Sequence, residues 1–541
     1  MKKIYNRNWL FKNFKSIAVL GALLVAGSAS AQLSGTYTIN SASSTSGTNY
    51  ASFTALASAL NSDGVSGAVT VNVVAGSGPY SQKFNLNAIS GSSATNTITI
   101  NGNGEKIKAS SPVIKLYGTD YITFDDLVIE QTGSVNNKMF QAYNNVKFVT
   151  INDCEFLAPS GNAYGGYPGY YTSAYIWFGN HNFYYQNPTD QSTDITITNN
   201  KLWKGNSSVN GIGKNFGIML ANKSSATSDQ NIEISGNDIQ DYGQWGMYTK
   251  YVTGIDIKNN LVHNDNNTSS TYCYGIYVYD YFFSGASAVN IDANKIYNLA
   301  KNRSYAYMSL YGIYAYGYYA GVDFNITNNV MDLNGPYYIY GIYAYAYQAS
   351  GDHNIVNNTI RMSGNVTYSY TRHYGIYNYY APSGDVKNNI IVDQTQNWGS
   401  TNGASYLIYT YNPQCTFDYN NLDNSTMAGS AMSNSNRHTA YNGGNRTTLA
   451  NWQGNAGGAN SIAVDPQFTS VSTGDWKPQS IAMANKGGTG STVPTLDLDG
   501  VTRNTSSPDV GALEYFVDVE IVSVDMTTAA QCGGYTEAVK I

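Results

Sequence analysis

Four carboxylates lie close together early in the chain, in a pattern that suits acid–base chemistry. Asp125 and Asp126 are adjacent in ITFDDLVIE, and Asp153 and Glu155 follow in INDCEF. Cleavage of a glycosidic bond uses two carboxyl groups at a defined separation, and clustered acids also suit calcium. Related segments carry Asn at these positions, and Asp replaces Asn readily at a turn. We favour the turn interpretation and keep the four acids as catalytic candidates.

A basic cluster occurs near residue 370. Arg372 and His373 directly precede the strand-like segment YGIYNYY, and Arg361 lies shortly before them. In an elimination reaction a basic side chain accepts a proton in its neutral form and stabilises developing negative charge in its cationic form. No acids accompany these residues in the same segments, so an active site here is a hypothesis about Arg372 and His373 alone.

Tyrosine is abundant, with 49 residues, and much of it recurs in one pattern. The segment YGIYAYGYY begins at Tyr311, and relatives begin at Tyr274, Tyr340 and Tyr374. If Ile313, Ala315 and Gly317 point inward, the alternating tyrosines point outward. The outward tyrosines predicted in this way are Tyr277, Tyr279, Tyr281, Tyr314, Tyr316, Tyr318, Tyr343, Tyr345, Tyr347, Tyr377 and Tyr379.

Two interpretations of this tyrosine array stay open. Stacked rings stabilise neighbouring strands by about 0.5–1.5 kcal/mol per pair. Rigid rings with hydroxyl groups also bind a polymer by stacking and hydrogen bonding, and tyrosine is favoured at recognition surfaces for this reason. We expect the ligand to be a polysaccharide or a surface protein.

The elements that position these residues are repeated strands. Units such as DITITNNKL, GIDIKNNLV and DFNITNNVM alternate apolar and polar residues and then place a pair of turn residues, usually Asn-Asn. Stacked turns allow Asn side chains to hydrogen-bond from one coil to the next. The residues predicted to form this ladder are Asn200, Asn237, Asn260, Asn294, Asn329, Asn358, Asn389 and Asn421, at spacings of 23 to 37 residues.

A second strand series lies between the Asn turns. Its copies run from FGIM at Phe216 to YLIY at Tyr406, with one copy in each interval. Two strand series sharing one period predict at least two sheets along a parallel β-solenoid. The predicted fold class is therefore all-β.

These repeats resemble the right-handed parallel β-helix proteins of the pectate-lyase-like superfamily, from about Thr97 to Phe516. That fold carries lyases, hydrolases, adhesins and inert spacers, so the resemblance is more specific for fold than for activity. Polygalacturonase-like members carry Gly-His-Gly and Arg-x-Lys elements, and neither tripeptide occurs in this sequence.

Each end of the repeats has its own predicted structure. Residues 32–96 form an N-terminal cap in which SFTALASAL places Phe53, Leu56 and Leu60 on one helix face, after Ser52 as N-cap. Repeats occupy 97–463. The segment 464–516 resembles the closing end-piece of secreted β-helix proteins, with a DxDGxxR element followed by a DIGAxEY-like element. The matching residues are Asp497, Asp499, Gly500, Arg503, Asp509, Gly511, Ala512, Glu514 and Tyr515.

The termini predict export. Residues 1–31 combine basic residues, an apolar run and a small-residue cleavage pattern, as in a secretory signal peptide. Its removal takes away five positive charges and changes the formal charge from -6 to -11. An acidic chain offers no electrostatic footprint for nucleic acid, and no later segment is apolar enough to span a membrane. Residues 517–541 look like the first strands of a truncated immunoglobulin-like module.

The sequence therefore predicts a secreted or cell-surface protein that binds through its tyrosine face. The resemblance implies a Gram-negative bacterial source, where many such proteins continue into a sorting domain for type IX secretion. A polysaccharide lyase or glycoside hydrolase is the first alternative, and a structural stalk without a ligand is the second. No cofactor is expected, with calcium at the end-piece carboxylates as the alternative. Four dispersed cysteines without a CxxC pair predict isolated thiols.

Overall fold

The computed structural model describes most of the chain in seventeen segments. They are residues 32–133, 137–159, 173–179, 190–205, 214–223, 230–252, 254–264, 271–280, 287–299, 307–317, 321–346, 351–380, 383–411, 414–433, 435–456, 458–469 and 474–514. The predicted signal peptide, the predicted immunoglobulin-like start, Tyr281, Tyr318, Tyr347, Tyr515 and Cys532 lie outside them.

Three long sheets dominate the described residues. Sheet A has 14 strands, sheet B has 12 and sheet C has 13, and all pairs are parallel except the last pair of sheet C. The strands of sheet A, in chain order, are Leu33–Ile39, Asn49–Tyr50, Val65–Val73, Ile98–Asn101, Ile122–Asp125, Lys147–Asn152, Thr193–Thr198, Ile232–Ser235, Ile255–Lys258, Ser287–Asp292, Val322–Thr327, His353–Val356, Asp385–Lys387 and Thr416–Asp418.

The other two sheets have the same period along the chain. Sheet B comprises Tyr80–Ser81, Lys106–Ser110, Val128–Thr132, Glu155–Leu157, Lys201–Trp203, Asp238–Ile239, Leu261–His263, Lys295–Tyr297, Val330–Asn334, Thr359–Ser363, Ile390–Asp393 and Asn421–Asp423. Sheet C comprises Phe84–Asn87, Ile114–Tyr117, Lys138–Tyr143, Ala174–Phe178, Lys214–Ala221, Tyr242–Lys250, Tyr272–Asp280, Ser309–Gly317, Ile339–Ala346, Arg372–Tyr379, Ala404–Tyr411, Arg437–Asn442 and Asn445–Arg446. A small extra sheet pairs Asn365–Val366 with Asn397–Trp398.

One coil of the chain passes through the sheets in the order A, B, C. Val322–Thr327 of sheet A leads through an Asn corner into Val330–Asn334 of sheet B and then into Ile339–Ala346 of sheet C. The next coil then begins at His353 and pairs in parallel with the previous sheet A strand. The chain is thus an all-β parallel β-helix with three sheets. The sequence predicted at least two, and the short strands after the Asn corners form the third.

The core lies between the three sheets and consists mainly of alternate aliphatic residues. Ile195 and Ile197 on sheet A are fully buried, and Thr196 between them is half-buried. Leu202 on sheet B and Ile218 on sheet C complete the same layer and are also fully buried. Because the strand period is two, each inward set leaves one outer face for polar or aromatic residues.

The corner between sheets A and B contains a continuous ladder of Asn side chains. From Asn200 to Asn389, each Nδ2 donates to Oδ1 of the next coil's Asn at 2.9 to 3.0 Å. Each Oδ1 between Asn237 and Asn389 also accepts from the main-chain N–H of the preceding coil's Asn. The residue before the ladder position has positive φ in each coil, for example Asn259 at 57° and Asn328 at 54°. The left-handed turn and the ladder are therefore carried by two successive residues.

The ladder prediction is wrong at Asn421. Lys387 pairs with Asp418 across sheet A, so Tyr419 takes the left-handed turn position with φ 55°. Asn420 consequently accepts from Asn389 at 2.9 Å, while Asn421 begins the next strand and donates to the Val464 carbonyl oxygen at 2.8 Å. Two adjacent Asn residues made the register ambiguous in the sequence.

Helices lie at both ends of the repeats. Helix α1, Phe53–Asp63, begins after Ser52, whose side chain accepts from the Ala55 N–H, and it buries Phe53, Leu56 and Leu60. The Phe53 ring packs edge-on against Phe84 at 5.5 Å, so α1 rests on the first coil. Helix α2, Leu449–Ala456, buries Trp452 against Phe417 of the last sheet A strand at 5.4 Å. Strands Leu33–Ile39 and Val65–Val73 already belong to sheet A, so the cap region contributes coils of its own.

The segment 464–514 runs back along the outside of the β-helix. Its described residues include the 3₁₀ helix Ile481–Met483. Asn388 exchanges hydrogen bonds with Gly488, Asn357 donates to the Gly511 carbonyl oxygen, and Asn328 accepts from Arg503 at 2.8 Å. These three turn residues are buried, whereas Asn199 and Asn259 at the same position in earlier coils are exposed. The end-piece is therefore fastened by the left-handed Asn residues that it covers.

The acidic residues of the end-piece bond to its own backbone. Asp497 accepts from the main-chain N–H groups of Val501 and Glu514, and Asp509 accepts from that of Asn485. Glu514 lies 3.3 Å from the guanidinium of Arg503. These contacts organise the loop around the matched DxDGxxR residues.

The described cysteines are free thiols. Cys154 and Cys273 are buried and Cys415 is half-buried. Among the described helices, none has the length and apolar character needed to cross a bilayer.

Candidate functional site

The outer face of sheet C carries the predicted tyrosine array. Ile313 and Ala315 are fully buried, while Tyr314 and Tyr316 are half-buried on the opposite side of the strand. Tyr314 pairs in register with Tyr277 on one side and Tyr343 on the other. The register places equivalent tyrosines directly above one another in successive coils.

The tyrosines form two parallel columns along the axis of the β-helix. The middle column has ring centroids 4.5 to 4.9 Å apart and tilted by no more than 7°; its members are Tyr248, Tyr277, Tyr314, Tyr343, Tyr377, Tyr409 and Tyr441. The outer column has centroids 4.9 to 5.4 Å apart; its members are Tyr279, Tyr316, Tyr345, Tyr379 and Tyr411. The rings therefore cover one another's faces, and all members of the two columns except the buried Tyr248 are partly exposed.

A third column was not predicted from the sequence. It is the stack of Phe216, Trp245, Tyr274, Tyr311, Tyr340, Tyr374, Tyr406 and His438, with centroids 4.4 to 6.2 Å apart. Its rings meet the middle column edge-on, as in Tyr311 and Tyr314 at 5.6 Å and 77°. The signal for this column was present, because the first aromatic of every YGIY copy belongs to it.

The inward–outward alternation of the strand breaks at the residue after the first aromatic of each copy. Gly312 and Ile313 are both buried, so Tyr311 and Tyr314 both point outward although they are three residues apart. A Cβ on Gly312 would come within 2.7 Å of the Gly341 carbonyl oxygen and of the Met331 sulfur. In the YGIY copies this close approach of successive backbones leaves no room for a side chain. The YLIY copy breaks the alternation at the same position with a fully buried Leu407, so the break is a property of the strand and glycine accommodates it where the coils approach most closely.

Two phenol groups of the middle column have raised pKa values. Burial raises the pKa of Tyr343 to about 12, with a further contribution from the nearby Tyr345 and Tyr379. Burial and the neighbouring tyrosines raise the pKa of Tyr314 further. Near neutral pH Tyr314 and Tyr343 therefore carry uncharged hydroxyl groups, which both donate and accept hydrogen bonds.

The four acidic candidates lie on sheets A and B of the β-helix and at the corner between them, not on sheet C. Asp126 and Asp153 have φ of 49° and 51° and occupy the left-handed corner between sheets A and B. Asp125 accepts from Asn152 Nδ2 at 2.6 Å, and Glu155 accepts from Trp203 Nε1 at 2.8 Å. Burial raises the pKa of Asp126, and the nearby Asp153 and Asp125 add to this effect. The turn interpretation thus fits Asp126 and Asp153, whereas Asp125 ends a strand of sheet A and Glu155 begins a strand of sheet B.

The basic candidates are not brought together. Arg361 on sheet B pairs with Asp332 at 2.8 Å. Arg372 lies on the outer side of sheet C and donates to the Asn402 carbonyl oxygen, whereas His373 points into the core and contacts Asp393 at 2.8 Å. Successive residues of a strand face opposite sides, so Arg372 and His373 cannot act on one substrate as a pair.

Metal-binding residue types are dispersed in the described segments. No group of three or more His, Cys, Asp or Glu residues there is placed to hold a metal ion. Buried Asp393 instead accepts from His373, Thr395 and Ser405 inside the core. Although burial acts in the opposite direction, these contacts lower its pKa.

Comparisons with known proteins identify no family. No protein-family model matches the chain, and no curated protein matches it. Among solved structures, the crystal structure of pectate lyase Pel9A aligns with 12% sequence identity and a TM-score of 0.35, over 90% of this chain and 98% of that chain. At that level of similarity the alignment carries no argument about activity, and the parallel β-helix assignment rests on the three sheets described above.

Proposed function

We propose that this chain is a secreted or cell-surface binding module that holds a polysaccharide or a surface protein on the outer face of sheet C. The observation that supports this function is the pair of middle and outer tyrosine columns, whose members other than the buried Tyr248 are partly exposed. Because the rings stack on one another, the ligand contacts ring edges and hydroxyl groups rather than ring faces. The sequence-based expectation of ligand stacking on open rings is revised accordingly.

The columns suit binding because they are already ordered. Each ring is held by neighbours at 4.5 to 5.4 Å in the middle and outer columns, so little side-chain freedom is lost when a ligand arrives. Neutral phenols do not attract a polyanion, and the chain itself carries a formal charge of -6. The preferred ligand is therefore rich in hydroxyl or amide groups and low in charge.

The location and domain limits belong to the same proposal. Export rests on the signal-like residues 1–31, and location at the surface of a Gram-negative bacterium rests on the resemblance to secreted bacterial β-helix proteins. The division into a cap at 32–96, repeats at 97–463 and an end-piece at 464–516 rests on the sequence pattern, as does the module beginning at 517. The proposed binding uses no cofactor.

Two alternatives lead to different outcomes in one experiment. A lyase or hydrolase releases unsaturated or reducing ends from a polysaccharide, and a pure stalk binds nothing. The stalk is favoured by the stacking itself, since ring pairs stabilise the coils whether or not a ligand binds. The purified protein is screened on a glycan array and on insoluble polysaccharides, with product assays in parallel. Saturable binding without product supports the proposal, product release supports the enzyme, and the absence of binding to every glycan and to cell-surface protein extracts supports the stalk.

A further inference from the structure

A column of threonines lies on the outer face of sheet A in the first coils, away from the tyrosine face. In-register pairing aligns Thr36, Thr70, Thr99, Thr123, Thr150 and Thr196. In the described part of the chain, the hydroxyls of Thr123, Thr150 and Thr196 bond to no other protein group. These half-exposed hydroxyls are therefore available to a ligand.

Other polar side chains on the outer face of sheet A hydrogen-bond to one another between coils. In the next column, Asn152 donates to Asp125 at 2.6 Å and accepts from Thr198 at 2.8 Å. After Thr196 the threonine column itself continues as Glu233 and Asp256. It then continues as Asn290 and Asn325, which bond to each other at 2.8 Å. Open hydroxyls are thus a property of the early coils and not of the sheet as a whole.

Two aromatic residues beside the threonines hold an unfavourable backbone conformation. Tyr121 has φ of 58° and Phe148 has φ of 53°, a region that bulky residues rarely adopt. The equivalent positions in the next coils hold Asp194, Asn231 and Gly254, which are residue types suited to positive φ. Strain of this kind at two successive positions is often retained for function.

The strained pair forms one wall of a groove. Tyr121 and Phe148 stack at 4.4 Å, and Phe148 is 41% exposed. No other ring in the described residues covers Phe148, and the column continues with the smaller Asp194. The resulting groove has a volume of about 310 Å³, with Thr150 and Thr196 in its lining. This volume lies at the lower end of the roughly 300–1,000 Å³ range of small-ligand sites.

We propose that this groove on sheet A is a second binding site, which takes sugar rings of a neutral glycan. The exposed face of Phe148 packs against the C–H face of a sugar, and the threonine hydroxyls bond to its hydroxyl groups. Asp194 is the charged residue of the lining, and no Lys or Arg lines the groove, so a uronate chain is disfavoured. The site differs in sheet and in coils from the proposed tyrosine surface.

The test uses a substitution that separates binding from stability. Phe148→Asn places at this position the residue type that the chain itself uses at Asn231, and it removes the aromatic wall. The whole protein and this variant are titrated calorimetrically with neutral hexasaccharides of β-1,4-glucose, β-1,4-mannose, β-1,4-xylose and α-1,4-glucose, and with the galacturonic acid hexamer. Thr150→Val with Thr196→Val removes two hydroxyls at constant shape, and Thr70→Val is the matched control outside the groove.

At least one neutral hexasaccharide is expected to bind the parent protein. Phe148→Asn should weaken that binding by about tenfold or more while leaving the melting temperature equal or higher. The paired valine variant should also weaken it, and Thr70→Val should not. The proposal is overturned if no neutral hexasaccharide binds, if only the acidic hexamer binds, or if Phe148→Asn lowers the melting temperature and leaves binding unchanged. Tyr316→Phe with Tyr345→Phe should leave this binding intact, which distinguishes this site from the tyrosine surface.

Discussion

Replacement of one ladder residue, Asn329→Ala, should destabilise the β-helix strongly. The Asn329 side chain is fully buried, donates to the Ile291 carbonyl oxygen and to Asn358 Oδ1, and accepts from the N–H and Nδ2 of Asn294. Alanine leaves at least the Ile291 carbonyl and the Asn294 N–H without these partners inside the core. Each buried unpaired group costs about 1–3 kcal/mol, so the expected loss of unfolding free energy is about 2–6 kcal/mol.

Urea unfolding followed by circular dichroism measures this loss. The matched control is Asn259→Gly, which changes an exposed Asn in the left-handed turn position with φ 57°. Glycine adopts this conformation without a steric penalty, and the free energy of unfolding should stay within about 0.5 kcal/mol of the parent. Equal effects of the two substitutions would refute the assignment of stability to the buried ladder.

Three further predictions concern the tyrosine sheet and the end-piece. Gly341→Ala should lower the free energy of unfolding by about 1–3 kcal/mol in the same urea experiment, since its Cβ would lie 2.4 Å from the Gly375 carbonyl oxygen; an unchanged midpoint would contradict the close approach. The folded-state pKa of Tyr343 is raised to about 12, whereas the unfolded value is about 10. The contribution of Tyr343 to the free energy of unfolding is thus fully present below about pH 10 and is lost as the pH rises toward 12. Absorbance titration at 295 nm should show tyrosinate forming at a higher pH in the folded chain than in the urea-unfolded chain. Arg503→Ala removes contacts to Asn328 and Glu514 at 2.8 and 3.3 Å. In limited proteolysis the variant should be cut within 464–514 much faster than the parent protein. Equal cleavage rates of the two proteins would show that the end-piece is held without Arg503.

The strand pattern was predictable because its physical signal repeats. An Ile or Met recurs at the position of Ile313 in each copy, and the strand period of two separates an inner from an outer strand face regardless of distant contacts. The positions of Tyr314 and Tyr316 followed from the same alternation. Repetition also made the Asn corners visible before the sheets were known.

The features that were not predicted from the sequence depend on contacts between coils. Tyr311 was missed because the alternation breaks at Gly312, whose need for close backbone approach is not visible in one strand. Asn421 was assigned to the ladder because Tyr419, rather than an Asn, takes the left-handed turn in that coil. Asn328 also holds the end-piece, through a hydrogen bond from Arg503, which lies 175 positions further along the chain. Short-range patterns carry no information about pairs this distant.

The central claim is that the hydroxyl edges of the tyrosine columns bind a ligand. The most direct measurement compares ligand binding by the parent with a triple variant of the outer column, Tyr316→Phe, Tyr345→Phe and Tyr379→Phe, which keeps the stacked rings. Tyr307→Phe with Tyr370→Phe removes exposed hydroxyls outside the columns and is the control. The triple variant should keep the parent's melting temperature and lose about tenfold or more in affinity for the glycan or surface protein found in the screen, while the control binds as the parent does. Undiminished binding by the triple variant would contradict the claim.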